Sequence, residues 1–406
     1  MQILRHTLSN GIRLVHHPIQ GMIAHCGLVI DTGSRDEKSA EHGMAHFIEH
    51  MLFKGTEKRK AFHILSRLDD AGGELNAYTT KEETAIHASF LKEDYEKAID
   101  IITDIVFNST FPEKEIEKEK DVVLEEINSY RDNPAELIFD EFEEIIYPRQ
   151  PIGRNILGSV RTVKSFTRDS VNNFIDRNYN TTEMVFCSVG NIDEKKILKL
   201  FIRYFGHIKY RNNRKTGKRK YNYSPVTLTK KLDTWQTHCI MGNVAYDVMD
   251  DRRIGMVMLN NILGGLGLNS RLNMSLRERN GLAYNVESGY HPYKDTGVFS
   301  IYFGTDGQNL ERSINITVRE MNKLKDNALG TLQLTKAKNQ IKGYIARAYE
   351  SHESLMLSLG KNILVFDRID TPEDNCREVD ALTSKKLLEI ANEIMDPSKL
   401  STLIYE

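Results

Sequence analysis

The pentapeptide His46-Phe47-Ile48-Glu49-His50 carries the residue types of a metal-hydrolase centre at a usable spacing. On a helix, positions i and i+4 share a face, so His46 and His50 can converge on one ion. Glu49 lies close to that face, within reach of a water on such an ion. The order HxxEH is the inverted counterpart of HExxH. Imidazole suits zinc, which accepts a tetrahedral site with one position left open. Zinc lowers the pKa of its water to about 7. A glutamate so placed can take that proton and later deliver it to a leaving amine. The bland reading is two ordinary histidines on a helix. His42 complicates the pair, because His42 and His46 are also four residues apart. Only the later pair is accompanied by a glutamate at the right position, so His46 and His50 are the expected ligands. His42 is then a surface or supporting residue.

A catalytic zinc takes three protein ligands. The acidic helical stretch holding Glu113, Glu115, Glu117, Glu119, Glu125 and Glu126 supplies candidates for the third. Glu119 and Glu126 are seven residues apart and share a helix face, whereas Glu125 points elsewhere. Each glutamate could equally belong to a solvated face, and spacing alone does not choose among them. Thiolate ligands are not expected. Cys26, Cys187, Cys239 and Cys376 are scattered without a CxxC pair and read as reduced, buried thiols.

Several elements must position these groups. Ser9-Asn10-Gly11 is a turn signal followed by an alternating apolar run, as in a hairpin, and a second strand covers Ala24–Ile30. Helical periodicity runs from about Ser39 to Phe53 and from about Phe62 to Ala71, where Gly72-Gly73 interrupts it. Two strands, Glu74–Tyr78 and Glu83–Phe90, precede two long amphipathic helices near Asp94–Phe107 and Glu113–Asn128. Met184–Val189 is a late strand. The pattern then restarts. His238-Cys239 repeats His25-Cys26 at an offset of 213, and Ala283-Tyr284 repeats Ala77-Tyr78 at 206. Thr296–Phe303 repeats Glu83–Phe90 at 213, and Ser401–Tyr405 repeats Met184–Val189 at about 216. Steady offsets predict two halves of similar fold, each about 200 residues. Each mixes strands and helices without regular βαβ alternation, so the expected class is α+β. The expected division is 1–206, a basic linker at 207–232, and 233–406.

The length of 406 residues agrees with two or three domains. Lys plus Arg is 55 and Asp plus Glu is 57, a formal net charge of −2, which gives no global pull towards nucleic acid or acidic membranes. The segment His207–Leu232 nevertheless holds nine Lys or Arg and no acid. It reads as a solvated linker, or more sharply as a docking surface for an acidic partner. Tyr210, Tyr221 and Tyr223 are too few aromatic partners for a nucleic-acid platform. No apolar run reaches the ~18 residues of a membrane span. Met1-Gln-Ile-Leu-Arg-His shows no signal-peptide pattern, so a cytoplasmic protein is expected.

The chain resembles the M16 metallopeptidase family, of the pitrilysin, insulin-degrading enzyme and mitochondrial processing peptidase type. In particular it is similar to short bacterial members that resemble the processing-peptidase β subunit. The resemblance rests on Leu8-Ser-Asn-Gly-Ile-Arg, Asp31-Thr-Gly-Ser-Arg-Asp-Glu and Gly43-Met-Ala-His-Phe-Ile-Glu-His-Met-Leu-Phe-Lys-Gly-Thr56. It extends through Gly72-Gly-Glu-Leu-Asn-Ala-Tyr-Thr79, Glu119-Lys-Asp-Val-Val-Leu-Glu-Glu126, Gly153-Arg-Asn-Ile-Leu-Gly158 and Leu276-Arg-Glu-Arg-Asn-Gly-Leu-Ala-Tyr284.

The resemblance implies a zinc endopeptidase with one Zn2+ per chain, in two similar domains that are each a mostly antiparallel sheet packed by helices. It selects Glu126 as the third ligand and Glu119 as a supporting carboxylate. It implies that Glu49 is the general base, that Tyr284 donates to the developing oxyanion and that Arg277 holds a substrate carbonyl. Asn76, Ala77 and Tyr78 match the edge strand that pairs with the bound peptide, and Glu136 and Asp140 match a grip on a basic side chain near the scissile bond. Substrates would be unstructured or presequence-like peptides cut inside a chamber. That chamber closes from two half-shells, which implies a homodimer, or else a heterodimer with a related chain. The leading alternative to an enzyme is a non-catalytic structural subunit of the same fold. No nucleic acid or membrane is implied as a partner.

Overall fold

The computed structural model describes residues 2–213, 221–232 and 234–406. Arg214, Lys215, Lys218, Arg219 and Lys220 of the basic segment lie outside the described residues. The chain opens with strands β1 (Leu4–Thr7), β2 (Arg13–Pro18) and β3 (Ile23–Ile30). Helices α1 (Met44–Met51) and α2 (Ala61–Asp69) follow, then strands β4 (Glu74–Thr79) and β5 (Thr84–Leu91). Helices α3 (Tyr95–Phe107), α4 (Glu113–Arg131), α5 (Pro134–Ile146), α6 (Val160–Lys164) and α7 (Arg168–Asn178) precede β6 (Met184–Gly190) and α8 (Glu194–Phe205). The second half holds β7 (Thr227–Lys230), β8 (Thr237–Ala245), α9 (Arg253–Gly264), a π-helical turn (Asn273–Glu278), β9 (Ala283–Pro292) and β10 (Gly297–Thr305). It ends with α10 (Leu310–Asp326), α11 (Thr331–Glu350), α12 (His352–Phe366), α13 (Pro372–Asp380), α14 (Ser384–Ile394) and β11 (Ser401–Tyr405).

The strands form one sheet in the order β1-β2-β6-β3-β5-β4 and another in the order β7-β11-β8-β10-β9. The last five strands of the first sheet correspond one to one with the second. Each has one parallel pair, β2 with β6 and β7 with β11, and antiparallel pairing elsewhere. The offsets read in the sequence are these equivalences: His25 and His238 lie on β3 and β8, Ala77 and Ala283 on β4 and β9. The class is α+β with two similar domains.

Two compact units partition the chain, and neither is continuous. The first comprises Met1–Asn128, Arg154–Thr216 and Arg347–Thr371; the second comprises Ser129–Gly153, Gly217–Ala346 and Pro372–Glu406. Helix α12, from the C-terminal half of the sequence, therefore belongs to the first unit, and α5, from the N-terminal half, to the second. The reason is burial. In the first unit, α1, α3, α7 and α8 cover one face of the sheet through Phe47, Ile102, Phe174 and Phe201, among others. The other face, with Val15, Val29, Val185 and Val189, is covered by Leu355, Met356, Leu359 and Ile363 of α12. Burying such a side chain is worth roughly 1.5–3 kcal/mol. With both faces covered, β6 is buried along its whole length, which accounts for its unbroken run Met-Val-Phe-Cys-Ser-Val-Gly. Gly360 lets α12 lie close, since a Cβ there would meet Val29 Cγ2 at 2.8 Å. In the second unit, α9, α10 and α14 cover one face. Ile138, Phe142 and Ile146 of α5 cover the other, against Ile240, Val298 and Leu403.

Local structure departs from the sequence reading at one place that matters. The helix expected from Ser39 begins only at Met44, because Gly43 adopts φ 93° and only a 3-10 turn precedes it at Ser39–Glu41. Among the described residues no helix is long and apolar enough to cross a membrane.

Candidate metal centre

Helix α1 is short and two-faced. Met44, Phe47, Ile48 and Met51 recur at helical spacing and are buried in the core. That anchors the helix and leaves His46, Glu49 and His50 on its other side. The amino end is fixed by close backbone packing. A Cβ on Gly43 would meet the Leu157 carbonyl oxygen at 2.6 Å, and one on Gly158 would meet that of His42 at 2.5 Å. The His42 ring lies 2.7 Å from the Asn155 carbonyl, tying down the same loop. The motif 153–158 thus braces the start of α1, and His42 takes part in that brace.

Helix α4 faces α1 with Glu126. The donor atoms of His46, His50 and Glu126 all lie within 4.8 Å of one another, and among the described residues no other trio of His, Cys, Asp or Glu converges in this way. Glu126 Oε1 is 3.6 Å from His46 Nε2 and Oε2 is 3.7 Å from His50 Nε2. The two rings stand 4.6 Å apart, edge to face. Burial, reinforced by the His50 charge, pushes His46 down to about 4, so its ring is neutral at neutral pH. Its buried Nδ1 has no hydrogen-bond partner. Two imidazole nitrogens and one carboxylate meeting at a point match the donors that zinc prefers, so these residues fit that ion.

The supporting contacts sort the glutamates that spacing could not. Glu119, 4 % exposed, places Oε1 2.9 Å from His50 Nδ1 and Oε2 2.7 Å from the Lys54 ammonium. With Nδ1–H donating there, the Nε2 lone pair of His50 is left to ligate an ion. Burial disfavours the Glu119 anion, but His50 and Lys54 outweigh it and hold the carboxyl below its ordinary value. Burial would likewise lower His50, and Glu119, Glu126 and Glu49 more than compensate, so its pKa is raised. Glu125 faces solvent. Glu49 behaves oppositely to Glu119: burial pushes its carboxyl up, with the Glu126 charge adding to the effect.

The other residues singled out in the sequence fall as follows. Strand β4, carrying Asn76, Ala77 and Tyr78, is the last strand of the first sheet and pairs on one side only, with β5. Asn76 is exposed, whereas the Tyr78 hydroxyl donates to Glu83 at 3.0 Å and its ring lies 5.3 Å from the Lys361 ammonium. Tyr78 is thus tied to the first unit's own scaffold. Glu136 and Asp140 lie on α5 in the second unit. Asp140 accepts the Tyr130 hydroxyl at 2.8 Å, and the Glu136 carbonyl accepts it at 3.0 Å. Arg277 lies in the π-helical turn and Tyr284 near the start of β9, with the guanidinium 5.5 Å from the centre of the phenol ring and Tyr284 74 % exposed. Helix α9 of the second unit carries no His, Cys, Asp or Glu, so it offers no comparable set of donors. The role of Lys54, three residues beyond the end of α1, escaped the sequence reading.

A family profile described as "Insulinase (Peptidase family M16)" matches residues 14–160. One described as "Peptidase M16 inactive domain" matches residues 165–341. A Bacillus subtilis protein named "Uncharacterized zinc protease YmxG" is 35 % identical over 99 % of this chain and 98 % of its own. An "Uncharacterized zinc protease" of Rickettsia felis is 34 % identical over 98 % and 96 %. Among solved structures, one described as a protease from Helicobacter pylori superposes with a TM-score of 0.91 at 20 % identity, over 100 % of this chain and 99 % of that one. One described as a peptidase M16 inactive domain from Pseudomonas fluorescens gives 0.92 at 18 %, over 100 % and 98 %. These two likenesses concern the fold.

Proposed function

The chain belongs to the insulinase (M16) peptidase family, and on that premise we propose that it is a zinc-dependent endopeptidase acting on unstructured peptides. The observation that carries the reading is the convergence of His46, His50 and Glu126 to within 4.8 Å, with Glu49 on the same helix as both histidines. These three residues would hold one zinc per chain, and zinc there would supply a Lewis acid that polarises a carbonyl and acidifies water. Glu49 takes a proton from the attacking water and returns it to the leaving amine. Its upward shift brings a carboxyl closer to the pH at which it must both accept and give. Glu119 holds His50 in the tautomer that presents Nε2. The free side of β4 offers main-chain groups at Asn76 and Ala77 to an extended peptide, which suits a substrate recognised by backbone rather than by sequence.

The remaining parts of the proposal rest on the sequence match. Tyr284 and Arg277 bind the substrate carbonyl and its developing charge, and Glu136 with Asp140 favours a basic residue near the cut. The active species is a homodimer. Digestion of a peptide library with and without a chelator, read by mass spectrometry, tests activity, metal dependence and basic preference together. Cleavage that survives complete removal of metal overturns the zinc reading. Sedimentation of an active, stable monomer overturns the dimer.

A further inference from the structure

One buried acid is not used by the chemistry above. Glu37 is 3 % exposed and sits at the end of the segment Asp31-Thr-Gly-Ser-Arg-Asp-Glu37. Its Oε2 accepts the Gly43 N–H and its Oε1 accepts the Ala45 N–H, both at 2.9 Å. These are donors at the amino end of α1 that no helical carbonyl can reach. Ala45 is the residue next to His46. The positive end of the helix dipole favours an anion at the same place.

The segment that carries Glu37 is anchored at its other end. The Ser34 N–H donates to the Thr80 carbonyl at 3.1 Å and the Arg35 N–H to that of Lys81 at 2.9 Å. The Arg35 guanidinium pairs with Glu82. A Cβ on Gly33 would meet the Thr80 carbonyl oxygen at 2.4 Å, so the two backbones lie in direct contact. Residues 33–37 therefore form a strut. One end grips the turn between β4 and β5, and the other grips the helix bearing two of the three donors. Burial pushes the Glu37 carboxyl up to about 8, against the two N–H groups and the Arg154 charge, which favour the anion. The acid is held at a cost in solvation, and helix capping is the use its contacts show.

We propose that Glu37 is a positioning residue of the metal centre: its two oxygens clamp the start of α1 and thereby hold His46 and His50 in register with Glu126. This rests on the zinc reading above. It also extends it, because the strut joins the edge strand offered to the peptide to the helix that bears the ligands.

The test compares Glu37→Gln and Glu37→Asp with the wild type. Glutamine keeps the shape but sets an NH2 against one of the two N–H donors, and aspartate is too short to span both. Zinc affinity is measured by competition with a chromophoric chelator. Hydrogen exchange over residues 43–51 is measured on the zinc-free proteins. Asn10→Ala serves as a structural control in the same unit, because it breaks buried bonds to the Phe205 and Ile208 carbonyls without touching α1.

Both Glu37 variants should bind zinc about 10-fold more weakly, as for the loss of other supporting groups, and should exchange faster over 43–51. Asn10→Ala should lose thermal stability and keep its affinity. Affinity within about two-fold of wild type in both Glu37 variants overturns the proposal, and so does an equal loss in Asn10→Ala. If Glu37→Gln does not fold, Glu37→Asp decides by the same measurements. A wild type that binds no zinc refutes the zinc reading instead, and the exchange data then still decide whether Glu37 clamps the helix.

Discussion

Replacement of Glu119 by glutamine separates a supporting carboxylate from its exposed neighbours. The wild-type side chain is almost fully buried and makes two charge-assisted contacts, 2.9 Å to the His50 ring and 2.7 Å to the Lys54 ammonium. Hydrogen bonds to charged groups are worth about 1.5–3 kcal/mol. Glutamine keeps one acceptor oxygen and so can satisfy one partner. Its NH2 must face the other, either the His50 Nδ1–H or the ammonium of Lys54. In the first case the ring loses the acceptor that fixes its tautomer; in the second a cation is left unpaired beside the centre. Either outcome should weaken zinc binding by about 10–100-fold, or about 1.4–2.7 kcal/mol, the range found when groups supporting a ligand are removed. Glu125→Gln, one position from Glu126 but facing solvent, should change affinity by less than about two-fold, as for most surface substitutions. The assay is chelator competition on metal-free protein, with folding checked by thermal unfolding. Equal affinities for Glu119→Gln and wild type, or equal losses for Glu119→Gln and Glu125→Gln, would show that the Glu119–His50 contact does not tune the centre.

Glu49→Gln should retain zinc while peptide hydrolysis falls by about 10²–10⁴, as for loss of a general base, with metal content and turnover measured on one preparation. Zinc affinity should fall as pH drops. His50 is held above its ordinary value by the surrounding carboxylates, so its proton competes with the ion from higher pH than a free imidazole would, while His46 competes only in strong acid. A dissociation constant that stays flat between pH 8 and 5.5 contradicts this. Gly43→Ala should cost about 2 kcal/mol or more, because φ is 93° and a Cβ would meet the Leu157 carbonyl at 2.6 Å. Its melting temperature and zinc affinity should fall together. Tyr284→Phe should lower kcat by about 10²-fold with KM little changed, the pattern for loss of an oxyanion donor; unchanged kcat removes Tyr284 from the proposal.

Much of the centre was legible because its spacing is local. His46, Glu49 and His50 lie within one turn of helix, and the apolar residues interleaved with them reveal which face is buried. The α+β class and the doubling were legible from strands recurring at constant offsets. Glu126 could not be singled out by spacing, since six glutamates share one helical stretch and only the packing of α4 shows which of them turn inward. The start of α1 was missed because Gly43 was read as a helical residue, whereas its left-handed backbone is set by contact with residues 157 and 158. The placing of α5 and α12 was invisible for a similar reason. An amphipathic helix reveals that one of its faces will be buried, but not which sheet it will cover.

That placement has a consequence for synthesis. The first sheet is complete in its strands once β6 has been made at Gly190, yet the helix that covers its second face begins at His352. Roughly 160 residues separate the two, which at about 5–20 residues per second is on the order of 8–30 s of translation. Throughout that interval Val15, Val29, Val185 and Val189 have no helix of their own to cover them. The nascent chain thus offers an apolar sheet face to chaperones or to other nascent chains. A product truncated before His352 would never have that face covered.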